Sequence, residues 1–182
     1  MRERLFGDNK IDFKCTICML ILIMVISGVF GFIYETLFYK IDLGYFVKRG
    51  SSFGPWIPIY AVGGFLITIF IYRFRKNPLL VFILGCLVTG LLEYCTGFYL
   101  YEFRGTRLWD YDTEIWNYGN VNGYICLRST LFFGLSSLFL IYIVIPLLKK
   151  VVFKVEENRL EFFSFLLGFL FLIDVIIYSM VK

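Results

Sequence analysis

The chain has 182 residues, 59% hydrophobic and 21% aromatic, with mean hydropathy +0.78 and a net charge of +4. Soluble domains average about 45–50% apolar residues, so this composition excludes a water-soluble globule and predicts an all-α integral membrane protein with about five transmembrane helices. There is no histidine and no G-x-x-x-x-G-K-[ST] phosphate loop. No metal, cofactor or ATP-hydrolysing activity is therefore expected, and the loop charges speak to orientation rather than to a nucleic-acid partner.

Residues 1–14 read as a cytoplasmic N-terminal segment carrying Arg2, Arg4, Lys10 and Lys14, and residues 15–182 as a single polytopic membrane domain. The apolar run from Cys15 is too long for a signal-peptide core, so it is read as a retained first span over residues 15–39. In that span Ser27, Gly31 and Glu35 recur every fourth residue, a small-and-polar stripe ending in a carboxylate. Cys15-x-x-Cys18 lacks a thioredoxin-type context, and the five cysteines read as structural thiols. A loop with Lys40, Asp42, Lys48, Arg49 and Gly50 leads to Pro55-Trp56-Ile57-Pro58, where two prolines are expected to break helix at the membrane edge. Span two covers residues 57–72, and Gly63-Gly64 permits close helix approach.

After a basic turn at residues 73–78, span three covers residues 79–101. Gly85, Thr89, Glu93 and Gly97 set its carboxylate on a small-residue face. Arg104 and Arg107 precede a loop dense in polar and aromatic residues, Trp109-Asp110-Tyr111-Asp112-Thr113-Glu114 through Asn122-Gly123. Span four covers residues 124–148 and opens with Arg128; span five covers residues 161–181 and contains Asp174. The order span, Arg-Gly, aromatic re-entry occurs twice, which allows two parallel helical-hairpin repeats plus one extra helix. With the N-terminus inside, eleven of the 18 Lys and Arg fall on the cytoplasmic side, predicting a multi-pass cell-membrane protein with its N-terminus in the cytoplasm and its C-terminus outside.

A carboxylate within a span costs ~2.5–3.5 kcal/mol on insertion scales, so Glu35 and Glu93 are expected either to line a polar pocket or to lock helices by pairing with Arg49, Arg104 or Arg128. Arg128 carries a planar donor fork suited to phosphate or carboxylate, or pairs internally with Glu93 or Asp110. Trp109, Trp116, Tyr111 and Tyr118 either stack on a ligand or form an interfacial belt. Asp110 with Asp112 or Glu114 lacks the spacing of a calcium loop. The candidate substrate-binding residues are thus Glu35, Arg49, Glu93, Arg104, Trp109, Asp110, Asn122 and Arg128.

Lys48-Arg49-Gly50 with Gly54-Pro55-Trp56-Ile57-Pro58-Ile59-Tyr60, then Glu93-Tyr94-Cys95-Thr96-Gly97, Leu108-Trp109-Asp110-Tyr111 and Asn122-Gly123-Tyr124-Ile125-Cys126-Leu127-Arg128 resemble the putative ABC-transporter type IV membrane proteins over about residues 25–140. The resemblance implies an ABC-type permease component and a separate ATPase subunit as partner. Such a permease docks its ATPase through cytoplasmic coupling helices, whereas the inner loops here are short; only residues 149–160 leave room for a turn of helix. Three functions remain open: a transport component with an outward polar pocket for a small or amphiphilic substrate; a lipid-headgroup-binding protein or intramembrane enzyme acting on an anionic lipid; and a non-catalytic partner subunit. Membrane lipid and a second copy of the chain are the other expected partners.

Overall fold

The computed structural model describes Leu5, Phe6 and residues 12–181; the basic residues Arg2, Arg4 and Lys10 lie outside the described residues. Helix α1 (Phe13–Leu43) starts at Asp12, whose carboxylate accepts from the Cys15 amide (2.8 Å), and stops at Gly44 in the left-handed region. Helices α2 (Pro58–Phe74) and α3 (Pro78–Arg104) each open with proline in the first turn, where its missing N–H is no loss. Helix α4 (Leu127–Val152) passes through a π segment at Leu140–Val144, just before Pro146, which cannot continue the regular ladder. Helix α5 (Glu157–Val181) closes the chain. Four of the five, α1, α3, α4 and α5, are long and apolar enough to cross a membrane.

The entry into the second helix, rather than its length, differs from expectation: the expected span is residues 57–72 and α2 is Pro58–Phe74. At about 1.5 Å per residue, α2 reaches ~25 Å, short of the ~30 Å hydrocarbon layer. It begins beside the midpoint of α1: the Ile57 amide donates to the Gly28 carbonyl (3.0 Å). The proline break therefore lies alongside the middle of α1 rather than at its end, and residues 44–57 descend beside α1 without regular structure. Non-helical backbone at that depth needs partners from the protein. Asp174 of α5 supplies them, accepting from the amides of Phe53 (3.0 Å) and Gly54 (2.9 Å) and from Trp56 Nε1 (2.6 Å). Buried Ser52 donates to the Trp56 carbonyl (2.5 Å).

Two tight antiparallel hairpins, α1–α2 and α3–α4, form the bundle. Each depends on missing side chains at the contact. A Cβ at Gly31 would overlap the Tyr60 ring, and one at Gly85 would overlap the Ser137 hydroxyl. Helix α5 runs parallel to α1 and packs on it through Lys14–Glu161 (3.3 Å), Ile21 against Gly168, and Val25 with Phe171. Helices α1 and α4 meet differently, through rings: Tyr34 stacks on Phe132 (3.6 Å between centroids) and Phe30 on Phe139 (5.5 Å). The densest core sits at the end bearing the turns at residues 75–77 and 153–156. There Met19, Ile23, Ile71, Val81, Ile145 and Leu148 pack together. Toward the opposite end, bearing residues 44–57 and 105–126, the helices part around two recesses.

Candidate functional site

The recess nearer the long loops is a small chamber lined by charged and aromatic side chains. Helix α1 contributes Tyr34, Glu35, Phe38 and Tyr39; α2 contributes Ile59 and Tyr60; α3 contributes Glu93; α4 contributes Arg128, Ser129, Phe132 and Phe133. The roof comes from the 105–126 loop as Trp109, Tyr111 and Glu114.

Loop chemistry explains how that roof is held. Gly105, in the left-handed region, ends α3, and its amide donates to the Tyr101 carbonyl. Arg107 then gathers the loop: it pairs with Asp110 (2.6 Å) and Asp112 (3.4 Å), donates to the Asn122 carbonyl (3.5 Å) and lies over the Tyr101 ring. The Asp110 carboxylate accepts from the Asp112 amide (3.0 Å), and the Tyr111 amide donates to the Gly123 carbonyl (3.1 Å). Trp116 and Asn122 take left-handed φ values of 53° and 54° where the chain reverses. Asp110 and Asn122 thus build the loop, while Tyr111 and Glu114 reach down from it into the bundle.

Three carboxylates meet below. Glu35 accepts from Arg49 Nε (3.2 Å), and Arg49 also donates to the Leu108 carbonyl (3.0 Å) and stacks on Tyr39 (3.7 Å). Glu114 pairs with Arg128 (2.7 Å), accepts from the Tyr39 hydroxyl, and sits near the Phe38 ring that Arg128 covers (3.9 Å). Burial pushes the Glu114 carboxyl up, while the Tyr39 hydrogen bond and the Arg128 charge pull it back. Glu93, 4% exposed, has hydroxyl partners instead of a cation: Tyr111 donates to one oxygen (2.5 Å) and Ser129 to the other (2.9 Å). Burial, then the neighbouring Glu93, holds the Tyr111 phenol well above its ordinary range, so Tyr111 is a neutral donor. Ser129 is fixed by a reciprocal cap with Cys126 at the start of α4, which ties Glu93 to that helix terminus.

Directly below lies an apolar cleft between α1, α2, α3 and α4. Ile59, Tyr60, Glu93 and Phe133 line both recesses, so the two share a wall. The π segments of α2 and α4 bound the cleft through Ile67, Leu140 and Val144. Ile26 of α1 (37% exposed) and Phe139 of α4 (41%) stand at its margin.

Across this architecture, the family model described as putative ABC-transporter type IV matches residues 22–179. The chain belongs to that family. Searches of curated proteins and of solved structures find no match. The type IV match takes in every residue of the chamber and the cleft, and makes this chain a transport-related membrane protein.

Within this type IV member, Glu35, Glu93, Trp109 and Arg128 converge on the chamber, and Arg49 joins them through Glu35. Asp110 and Asn122 stand in the loop above. Arg104 is exposed in the last turn of α3, away from the chamber lining. Arg128 pairs with Glu114 rather than with Glu93 or Asp110. Tyr39, Tyr60 and Ser129 are chamber residues that the sequence does not single out; Tyr111, expected to stack on a ligand or join an interfacial belt, and Glu114, considered beside Asp110 as a cation ligand, are not among the candidate substrate-binding residues. Tyr39 stands four residues from Glu35 and Tyr111 three from Glu114, the helical and turn spacings that would have joined them to the site.

Proposed function

We propose that this type IV family member is the membrane-embedded component of a transport system, and that chamber and cleft together bind an amphiphilic substrate. One observation carries the reading: a charged, hydrogen-bonding recess and an apolar recess share a wall at Tyr60 and Glu93. A ligand with a polar head and an apolar body matches that division. The lysine and arginine distribution supports a cytoplasmic N-terminus, which turns the chamber outward and the dense core inward. The α2 and α4 π segments beside the cleft, a rare helix form frequent at functional sites, support the same reading.

Subunit composition tests this first. The tagged protein, extracted from its membrane in mild detergent, is expected to bring down a stoichiometric ATPase subunit and an amphiphile detectable by native mass spectrometry. A lone chain or homo-oligomer that retains only anionic lipid would sink the ATP-driven transport reading in favour of headgroup binding.

A further inference from the structure

Counted as ionised, the acidic and basic groups of the chamber do not cancel. Three carboxylates, Glu35, Glu93 and Glu114, face two guanidinium groups, and both guanidinium groups are already paired, Arg49 with Glu35 and Arg128 with Glu114. Among the described residues, no lysine or arginine comes within ion-pair distance of Glu93. Its two hydroxyl partners are neutral, and the start of α4 offers at most about half a positive charge. A buried carboxylate without a full counter-charge is costly in a membrane bundle, and either a proton or an occupant bringing one positive charge relieves that cost.

The surroundings narrow the kind of cation. Glu93 is flanked by the rings of Tyr60, Tyr111 and Phe133, with Tyr34 and Phe132 beside them. A hard metal ion asks for about six oxygen ligands, which this wall does not supply. Aromatic faces around a carboxylate suit an ammonium group, each face adding cation–π attraction. The cleft beside Glu93 then receives the rest of the molecule. Arg128 Nε, buried and without an acceptor, is the one feature that would favour an anion, but its guanidinium is neutralised by Glu114.

We infer that the chamber selects an amphiphilic organic cation, its ammonium group against Glu93 and its apolar portion in the adjoining cleft. This rests on the reading of chamber and cleft as the substrate site. The test compares three probes of equal chain length on the full chain in lipid nanodiscs, with empty nanodiscs subtracted: decyltrimethylammonium, uncharged decyl glucoside and decyl phosphate. The cation is expected to bind at least tenfold more tightly than the glucoside, and Glu93→Gln to bring that ratio to about one. Should the variant fail to fold, wild-type protein treated with dicyclohexylcarbodiimide gives a second measurement. The adduct on Glu93, read by mass spectrometry, is expected to be suppressed by the cation at concentrations where the glucoside leaves it intact. Equal affinity for cation and glucoside, with no protection of Glu93, overturns the cation inference and leaves the amphiphile reading standing. Tightest binding of decyl phosphate overturns it and moves headgroup recognition to Arg128. Binding of none of the three removes the amphiphile reading and the inference together.

Discussion

A single carboxylate on the outermost helix decides whether residues 44–57 can lie where they do. Asp174 takes three donors, two of them backbone amides that no helix or sheet satisfies. Hydrogen bonds to a charged acceptor contribute about 1.5–3 kcal/mol, and a buried amide left without one costs about 1–3 kcal/mol. Asp174→Ala is therefore expected to destabilise the protein by roughly 3 kcal/mol. Asp174→Asn, which keeps one carbonyl oxygen, is expected to lose about half as much. Thermal unfolding in detergent gives the totals, and hydrogen exchange at Phe53 and Gly54 gives the location. Unchanged protection of those two amides in the alanine variant would show that another group holds the segment.

At the scale of helices, the bundle is held by the absence of side chains. Lipid is as apolar as leucine, so close packing and interhelical hydrogen bonds carry association where burial from water does not. Gly85 faces Ser137 of α4 so closely that a methyl group there would strike the hydroxyl. Gly85→Ala is expected to cost about 1–3 kcal/mol by overpacking. Ser137 bonds only to the Phe133 carbonyl of its own helix, so Ser137→Gly is expected to give the space back and restore most of the loss in the double variant. Unfolding midpoints of the four proteins in a double-mutant cycle check this, and strictly additive losses would place the clash elsewhere.

The same contrast explains what could be read ahead of the structure. The run read as span three, residues 79–101, is helical over Pro78–Arg104, and that read as span five, residues 161–181, over Glu157–Val181, because long charge-poor runs have few alternatives to helix. The depth of the Pro55-Trp56 break was not legible. Proline and tryptophan read alike at a membrane edge or beside a helix midpoint, and the choice is made by Asp174, more than a hundred residues away. Glu93 stood out because one carboxylate in an apolar run is conspicuous. Glu114 did not, because it lies among Asp110 and Asp112 and only the folded loop distinguishes it: Arg107 takes the two aspartates, leaving Glu114 to descend to Arg128.

For the whole molecule, one end is packed shut and the other holds the chamber, so orientation determines which compartment the site serves. The turn-bearing end carries Arg73, Arg75, Lys76, Lys149, Lys150, Lys154 and Arg159, of which Arg159 pairs with Glu156; at the other end Arg49, Arg107 and Arg128 are engaged by carboxylates, and among the described residues Lys40, Lys48 and Arg104 have no ion pair. Arginines neutralised in this way should count for little in setting topology, so the imbalance in free basic charge is larger than the bare numbers suggest, and it favours a cytoplasmic turn face. Single cysteines in a cysteine-free background, with Cys126→Ser to keep the α4 cap, would report this. Tyr118→Cys lies in the 105–126 loop at a position 74% exposed, and Lys154→Cys in the opposite turn. An impermeant maleimide is expected to label the first in intact expressing cells and the second only after permeabilisation. The reverse pattern would turn the chamber toward the cytoplasm, and would give an ATPase the long 105–126 loop to dock on instead of two short turns. A cytoplasmic turn face would leave an ATPase, if one docks, residues 75–77, residues 153–156 and the flanking basic residues, a small and net positive footprint that would favour an acidic docking surface.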